Sequence, residues 1–422
     1  MLRFAILLLF VGSDPLTDAL NTIDEKTLQT HEAYLASDEL EGRAAGFPGN
    51  EKAVEYLVKE VKSYGLAPAG VDGFTQEFKF GKERKAKNVV AELEGSDPKL
   101  KTEYVVIGGH LDHVGRKGQD VRGQSPGGPE GDEIWNGADD NGSGTSAILS
   151  IARAFAQGKV RPKRSLLFCF WNAEEAGLLG SLYWTKFPTR PLHKVVYCLN
   201  VDMIGRNPQR PMDLEGVKNA EGDDLERILS AALDGEEVKY TKFPHYNEAM
   251  FRSDGVNFLW QGIPASMLFT SWHADYHRSG DHADKIAYPN LAKIARASFR
   301  ILNDVANLEK GLRLNLETPL QGRPLGLRGE TLEGAALADL KLGDGNGAAK
   351  IAWVDAAGVL GQAGIQVGDV VTGFGGRPLP VYRPLETIWV RVQRTAGEQP
   401  AEVEVLRGGE KKALQATWPK KQ

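Results

Sequence analysis

Adjacent carboxylates after an apolar run are the first candidates for chemistry in this sequence. The run 166–171 is apolar and rich in aromatic residues, which predicts a strand buried on both faces of a sheet. Glu174 and Glu175 follow it, and such neighbours repel each other unless a cation or a proton lies beside them. Ligands of open α/β sheets collect at the carboxyl ends of the strands. The pair therefore indicates a site, and the acidic first turn of a helix is the alternative.

Other strand-like runs are followed by the same residue types. The runs 103–109, 194–200 and 266–271 each precede an imidazole or a carboxylate, and a glycine-rich turn carries a further acid. The residues concerned are His110, Asp140, Asp202 and His277, in addition to Glu175. Taken singly, a histidine is usually structural and an aspartate at a strand end usually caps a helix. Together they predict a metal site, because the strand ends bring them to one edge of one sheet.

Two neutral imidazoles and three carboxylates form a donor set that suits zinc. Two ions bridged by one carboxylate relieve the repulsion among the acids better than a single ion does. Such ions lie about 3.5 to 4 Å apart and lower the pKa of their shared water to about 7. A carboxylate that binds no metal must still take the proton from that water, and the spare acid of the Glu174 and Glu175 pair is placed for this.

The glycine-rich turn 142–147 also matches a dinucleotide-binding fingerprint. We reject that interpretation because no strand directly precedes the turn and because Asp139 and Asp140 would repel a pyrophosphate.

The predicted fold class is α/β, with a central mixed sheet sandwiched by helices. Apolar residues at helical spacing predict the helices, and alternating or continuous apolar runs predict additional strands. The helices fall within 22–65 and over 147–155, 222–233 and 291–306, and the additional strands over 74–80 and 87–93. The segment 115–136 has no periodicity and is rich in Gly, Pro and charge, which predicts a functional lid or a disordered loop.

The motifs, taken in order, resemble those of the M28 family of zinc aminopeptidases. The matching segments are 110–112, 137–144, 172–181, 200–202 and 276–277, with 35–43 and 65–70 ahead of them. The similarity covers about residues 25–308. It implies a zinc-peptidase fold, two zinc ions per chain and hydrolysis of the N-terminal peptide bond of peptides with a free N-terminus by a metal-bound hydroxide.

The resemblance implies a role for each metal ligand. Asp140 resembles the bridging carboxylate, and His110 and Asp202 resemble the ligands of one zinc ion. Glu175 and His277 resemble the ligands of the other.

The resemblance also implies three catalytic residues. Glu174 resembles the general base, and Asp112 resembles the acid that orients His110. Tyr276 resembles a phenol that stabilises the oxyanion.

Some positions depart from the family pattern. His282 stands where a small residue is frequent, so the choice of His277 as ligand depends on its pairing with Tyr276. Gly255 stands where a histidine is common, so the resemblance does not assign the residues of the specificity pocket. We expect His113 to be structural and Asp139 to be a turn acid.

A second domain is predicted over 313–422. Strand-like runs at 349–354, 369–374 and 401–406, with a helix-sized segment at 385–394, are typical of a small, mostly β, half-open barrel. The segments 323–329, 364–371 and 376–379 resemble PDZ domains of bacterial exported proteases. The resemblance implies that Leu325, Gly326 and Leu327 bind a peptide C-terminus or a protein partner. The alternative is a purely structural domain whose groove is not used for binding.

The first residues predict export to the periplasm or the extracellular space. Arg3 precedes an apolar run that is too short to span a bilayer and suits a signal peptide, assigned to 1–20 and cleaved between Gly12 and Asn21. An uncleaved anchor is the alternative. No other segment is long and apolar enough to cross a membrane.

Charge and cysteine content exclude other classes. A net charge of −5 without a basic stripe argues against nucleic-acid binding. Cys169 and Cys198 lie in strand-like runs and are expected as buried thiols, with a disulfide left open. Two cysteines are too few for a cysteine-based metal site.

The sequence thus predicts an exported dinuclear zinc aminopeptidase, with its peptidase domain over 21–312. A carboxypeptidase or a glutaminyl cyclase on the same scaffold is one alternative, because it would share the ligands. A non-catalytic protein that binds peptides through the PDZ-like domain is the other.

Overall fold

The structure is a computed structural model of the chain. It describes residues 14–81, 83–244, 249–315, 326–332, 334–343, 346–380, 384–385, 388 and 400–417. Most of the predicted signal segment, Leu325 and most of the predicted helix 385–394 lie outside these residues.

The described residues form helices and strands at most of the places that the sequence predicts. The helices are α1 (Pro15–Asn21), α2 (Glu25–Leu35), α3 (Pro48–Ser63), α4 (Gly144–Gln157), α5 (Leu179–Lys186), α6 (Asp224–Gly235), α7 (Gly255–Leu259), α8 (Tyr288–Asn307), α9 (Gly334–Ala338) and α10 (Val359–Gln362). Among the helices of this described part, none combines the length and the apolar character needed to cross a bilayer.

The strands belong to two separate sheets. The first sheet contains β1 (Ala67–Pro68), β2 (Thr75–Phe80), β3 (Arg84–Leu93), β4 (Tyr104–His110), β5 (Ser165–Trp171), β6 (Val195–Val201), β7 (Met212–Glu215), β8 (Tyr240–Phe243) and β9 (Ala265–Phe269). The second contains β10 (Leu327–Thr331), β11 (Asn346–Gly347), β12 (Ala349–Val354), β13 (Val370–Phe374), β14 (Arg377–Pro380), β15 (Ala401–Arg407) and β16 (Glu410–Ala416).

The first sheet is mixed, as predicted. Its strand order is β1-β3-β5-β4-β6-β9-β7-β8, and β2 pairs with β3. The four central strands β5, β4, β6 and β9 are parallel, whereas β3 and β7 join them antiparallel. Since parallel neighbours end at the same edge, the carboxyl ends of four strands meet there. The register places His110 beside Trp171 and Gly108 beside Asn200.

Helices cover both faces of this sheet, which explains the apolar runs. In β5, Leu166, Phe168 and Phe170 point into a core that α4 and α8 share, where Phe155 stacks on Phe299 at 3.9 Å. The alternate residues Leu167, Cys169 and Trp171 point into a core with α5 and α7 on the other face. A strand with side chains buried on both faces needs apolar residues at every position.

The two cysteines are buried thiols. Cys169 and Cys198 are both free and lie in the same core, and burial raises the pKa of each thiol well above its ordinary value.

The second sheet is antiparallel and has a core of its own. It has the order β10-β12-β13-β14-β11, with β15 between β13 and β16. Buried residues from several of these strands, including Ile351, Val371 and Val403, form its core. Arg407 binds Asp369 through two nitrogens, each 2.7 Å from a carboxylate oxygen. The likeness to PDZ domains stays a prediction.

Candidate metal centre

The predicted ligands and Glu174 lie together at the carboxyl edge of the parallel strands. His110 ends β4, Glu174 and Glu175 follow β5, and Asp202 follows β6. Asp140 lies in the turn before α4 and His277 in the loop after β9. All six are close to one another although they come from five segments of the chain.

The first group of donors surrounds His110. Its Nε2 lies 3.1 Å from Asp140 Oδ1 and 3.4 Å from Asp202 Oδ1. Glu174 offers a carboxylate oxygen within 4.8 Å of donor atoms of His110 and Asp202. These side chains are buried, with Glu174 only 9% exposed.

The second group surrounds His277. Its Nε2 lies 3.2 Å from Asp140 Oδ2 and 3.1 Å from Glu175 Oε2. The two oxygens of Asp140 therefore face different imidazoles, which is the placement that a bridging carboxylate requires.

Main-chain carbonyls determine which ring nitrogen of each ligand histidine can bind a metal. Nδ1 of His110 lies 3.0 Å from the carbonyl oxygen of Asp112, and Nδ1 of His277 lies 2.9 Å from that of Gly123. A carbonyl oxygen only accepts hydrogen bonds, so we assign the proton of each neutral ring to Nδ1. Each Nε2 then faces the carboxylates and is the nitrogen available to a metal.

The carboxylates also have oxygens without a protein partner. Asp140 Oδ2, Glu175 Oε1 and Asp202 Oδ1 are buried and have no hydrogen-bond partner among the described residues. Buried polar atoms are normally satisfied, so these oxygens indicate a bound cation. The donor set fits one or two zinc ions.

Asp112 lies beside His110, and its role in orienting that ring stays a prediction. Its carboxylate is 3.9 Å from His110 Nδ1, which instead faces the Asp112 carbonyl oxygen. The carboxylate accepts the main-chain N–H groups of Glu174 (3.0 Å) and Glu175 (3.3 Å). Asp112 thus shapes the turn that carries the two acids, and its main chain orients His110.

The electrostatic environment shifts the pKa values of Glu174 and Glu175 in opposite directions. Burial raises the pKa of Glu174 well above its ordinary value. Burial and Asp140 act in the same direction on Glu175, but His277 and His113 outweigh them and bring its pKa to about 2.

The turns that carry the ligands are tied together by side chains that sequence reasoning did not identify. Asn141 Nδ2 donates to the Val201 carbonyl (3.0 Å), and Asn141 Oδ1 accepts the Met203 N–H (3.2 Å), so the turns of Asp140 and Asp202 are joined. Ser253 donates to Asp202 Oδ2 at 2.5 Å.

A buried arginine joins the N-terminal helices to two of these turns. Arg43 donates to the carbonyl oxygens of Leu111 (2.9 Å), Asn136 (2.6 Å) and Gly137 (2.9 Å). Arg43 lies in segment 35–43, which resembles the M28 family, and this resemblance is the feature of the sequence that could have identified it.

The segment 115–136 holds His277 in place. The N–H of Ser125 and Nε1 of Trp135 donate to the His277 carbonyl at 2.8 and 2.9 Å, and Gly123 accepts from its ring. The sequence predicted a lid or a disordered loop here, and the observed loop positions a ligand.

The remaining candidate residues lie around the two groups. Tyr276 stacks on the His277 ring at 4.0 Å, and its hydroxyl accepts from Arg252 at 3.5 Å. His282 lies 3.0 Å from Asp132, outside both donor groups.

Two cavities adjoin the groups. One of about 30 Å³ is lined by the ligands and by Met203, Met267, Phe269 and Trp272. The other, of about 640 Å³, is lined by residues that include Phe80, Arg84, Arg122 and Leu179, and Glu175 borders both cavities.

A sequence profile of peptidase family M28 matches residues 88–302, about half of the chain. The chain belongs to peptidase family M28. The matched M28 region includes every strand that carries a predicted ligand.

Curated relatives agree with this M28 assignment. Leucine aminopeptidase 2 of Arthroderma otae is 30% identical over 243 residues, which cover 50% of this chain and 44% of the relative. The chain spans about half the length of the curated relatives it matches.

Solved structures share the M28 fold. A Zn-dependent exopeptidase from Parabacteroides distasonis has a TM-score of 0.54 and 20% identity, over 67% of this chain and 98% of that one. The glutaminyl cyclase of Porphyromonas gingivalis has a TM-score of 0.53 and 20% identity, over 66% of this chain and 97% of that one.

Proposed function

We propose that this member of family M28 is an exported dinuclear zinc aminopeptidase. The observation that carries the proposal is Asp140, whose two oxygens lie 3.1 and 3.2 Å from the Nε2 atoms of two different histidines. The names of the related leucine aminopeptidases and of the Zn-dependent exopeptidase support the activity and the metal.

The described residues fit two zinc ions. His110, Asp140 and Asp202 would hold one, and Asp140, Glu175 and His277 the other. When bound, the pair of ions polarises the scissile carbonyl and lowers the pKa of a water molecule.

Glu174 is the proton carrier in this proposal. It takes a proton from the water as the water oxygen bonds to the carbonyl carbon, and it gives that proton to the departing amine as the C–N bond breaks. Its neighbours Glu175 and Asp202 are ligands in this proposal, and Glu174 offers a carboxylate oxygen within 4.8 Å of donor atoms of His110 and Asp202.

Tyr276 is the candidate donor to the carbonyl oxygen as negative charge develops there. Its phenol lines the smaller cavity beside His277.

Charge and shape favour the N-terminal end of a peptide. Four carboxylates line the smaller cavity, and Glu174, which binds no ion in this proposal, can attract an ammonium group. The cavity is small, about 30 Å³, and its lining includes the buried Met203, Met267 and Phe269, which supports the end of a chain as the group bound there.

One observation favours a carboxypeptidase instead. Arg252 lines the same cavity, where a guanidinium could bind a terminal carboxylate. Its side chain lies over the Trp272 ring at 5.8 Å and beside Tyr276.

A panel of peptides separates these functions. Aminoacyl chromogenic substrates and a tripeptide with a free amine should be cleaved after zinc is restored to chelated protein, and N-acetylated versions should lose at least about a hundredfold in rate. Cleavage that needs a free carboxylate and ignores N-acetylation would contradict the proposal. Release of pyroglutamate from glutaminyl peptides would assign a cyclase.

Export and peptide binding by the C-terminal domain are further parts of the proposal. The N-terminal apolar run supports a signal segment over 1–20, and fractionation of cells that express the full chain tests it. The antiparallel sheet and the turn at Gly326 support a PDZ-like groove at 325–327. Peptides with free or amidated C-termini, titrated into the full chain, would separate carboxylate binding from an unused groove.

A further inference from the structure

His113 is a buried histidine with no role in the proposed ligand set. Its side chain is 0% exposed, and its main-chain N–H donates to the Arg43 carbonyl at 3.3 Å. The ring lies against Gly137, where a Cβ would come within 2.4 Å of His113 Cγ. Gly137 has φ of 60°, so both its conformation and the space above it require glycine. The fold thus fixes the orientation of this ring.

The ring of His113 faces the second donor group. Its Nδ1 lies 3.1 Å from Glu175 Oε1 and 3.7 Å from Asp140 Oδ2. Its ring centroid is 5.6 Å from that of His277, with the planes nearly perpendicular. On zinc, donors with bonds of about 2.0–2.1 Å lie roughly 3.3 Å apart in a tetrahedron. The observed separations bracket that value.

The contact of His113 with Glu175 has the distance of a hydrogen bond but not its alignment. Neither ring nitrogen of His113 has a hydrogen-bond partner among the described residues, although Nδ1 is within hydrogen-bond distance of the carboxylate. The same is true of His277 Nε2, a proposed ligand, at 3.1 Å from the other oxygen of Glu175. The two imidazoles therefore stand in equivalent relation to this carboxylate.

Among the buried atoms without a hydrogen-bond partner in the described part of the chain, four atoms from four residues face this group. They are His113 Nδ1, Asp140 Oδ2, Glu175 Oε1 and His277 Nε2. Four convergent nitrogen and oxygen donors are the complete protein set of a tetrahedral zinc site.

We propose that His113 is the fourth protein donor of the second metal position. The inference rests on the proposed dinuclear site and gives its positions different tasks. The first position has three protein donors, His110, Asp140 and Asp202, and keeps a coordination place for water or substrate. The second has four protein donors, so it holds its ion more tightly and would contact the water only by expanding to five ligands.

Zinc binding by the full chain tests this inference without reference to activity. Chelated wild type should take up two zinc ions with unequal affinity in competition with a chromogenic chelator. His113→Ala should weaken the tighter site by at least about a hundredfold, because even residues that only contact ligands change affinity by about 10–100-fold. His282→Asn, which alters the imidazole paired with Asp132, should leave both ions in place.

Two further variants separate metal binding from a hydrogen bond to Glu175. The thiol of His113→Cys can bind a metal but is a poor hydrogen-bond donor to a carboxylate. The amide of His113→Asn donates a hydrogen bond to a carboxylate but is a poor zinc ligand. With cobalt in place of zinc, His113→Cys should retain two ions and gain a thiolate-to-cobalt absorption in the near ultraviolet that the wild type lacks. His113→Asn should lose the tighter site.

The opposite pattern would overturn the inference. Tight binding by His113→Asn and no thiolate band in His113→Cys would reduce His113 to a residue that supports Glu175. Circular dichroism of the metal-free variants shows whether each is folded. A wild type that binds one zinc ion, lost in His113→Ala, would contradict the dinuclear proposal and still support His113 as a ligand.

Discussion

Two clusters that combine histidines with aspartates lie side by side in this protein. They differ in the main-chain group that contacts Nδ1 of their histidines. The metal cluster is His110, Asp140, Glu175, Asp202 and His277. The neighbouring structural cluster is Asp139, His273, Asp281 and Arg206. Asp139 and Asp140 are adjacent in sequence and belong to different clusters.

The imidazole of the structural cluster has the opposite kind of main-chain partner. The main-chain N–H of Asp275 donates to His273 Nδ1 at 3.3 Å, so a neutral ring carries its proton on Nε2, which lies 3.3 Å from Asp139 without an aligned hydrogen bond. Arg206 lies 3.3 Å from Asp281. In the metal cluster, carbonyl oxygens place a proton on Nδ1, so Nε2 is the nitrogen available to a metal. The main-chain partner of Nδ1 thus distinguishes His110 and His277 from His273.

Exchange of one carboxylate in each cluster tests this comparison most strongly. Asp140→Asn should lose zinc and at least about a thousandfold in kcat/KM, since a metal contributes several kcal/mol to the transition state. Asp139→Asn should keep both ions and lose about 1–3 kcal/mol of unfolding free energy, because it contacts the Gly205 N–H and Ser143. Metal analysis, kinetics and denaturant unfolding measure these effects. Equal zinc loss in both variants would break the distinction.

Glu174→Gln sharpens the comparison inside the metal cluster. We expect both zinc ions to remain and kcat to fall at least about a hundredfold, the usual effect of losing a general base. Glu133→Gln, at an exposed ion pair with Lys117, is the control. Loss of a zinc ion from Glu174→Gln would make this residue a ligand.

Asp281→Asn tests how the structural cluster supports the metal cluster. Asp281 Oδ2 accepts the N–H groups of Asp139 (2.9 Å) and Asp140 (3.1 Å) and so holds the turn of the bridging ligand. We expect zinc affinity to fall about 10–100-fold. Asp275→Asn is the matched control, because the Asp275 carboxylate also pairs with Arg206 and its other ionic partner is Lys285. Zinc affinity that is unchanged in Asp281→Asn would mean that the clusters are independent.

His31 extends the comparison to a buried histidine between two tyrosines. Its nitrogens face the hydroxyls of Tyr56 (2.7 Å) and Tyr64 (3.3 Å), and burial, with Arg153, lowers its pKa to about 4. The unfolded chain binds a proton near pH 6.5, so stability is unaffected above that pH and falls as pH drops towards 4. The loss from pH 7.5 to pH 5 is about 2 kcal/mol.

The measurement for His31 compares wild type with His31→Gln, both metal-free, by denaturant unfolding across that pH range. The difference between the two curves should be flat above pH 7 and should change by about 2 kcal/mol at pH 5. A constant difference over the whole range would show that His31 takes up its proton as easily in the folded protein.

Hydrophobic pattern was enough to predict the central sheet and the edge at which the candidate residues meet. Runs such as 166–171 are apolar throughout because their strands are buried on both faces, and His110 and Asp202 follow such strands directly. Parallel strands end at one edge, so this part of the site follows from local pattern. The PDZ-like domain, the signal segment and the individual site roles stay predictions.

The tertiary structure decided what local pattern does not encode. Sequence spacing could not reveal that the Asp112 carboxylate holds the Glu174 turn, that the loop 115–136 orients His277, or that His113 faces Glu175. Each depends on contacts between segments distant in the chain. Residue types alone determined that a cation site was available. Which imidazole nitrogen is unprotonated depends on the main-chain group that the fold brings to the other nitrogen.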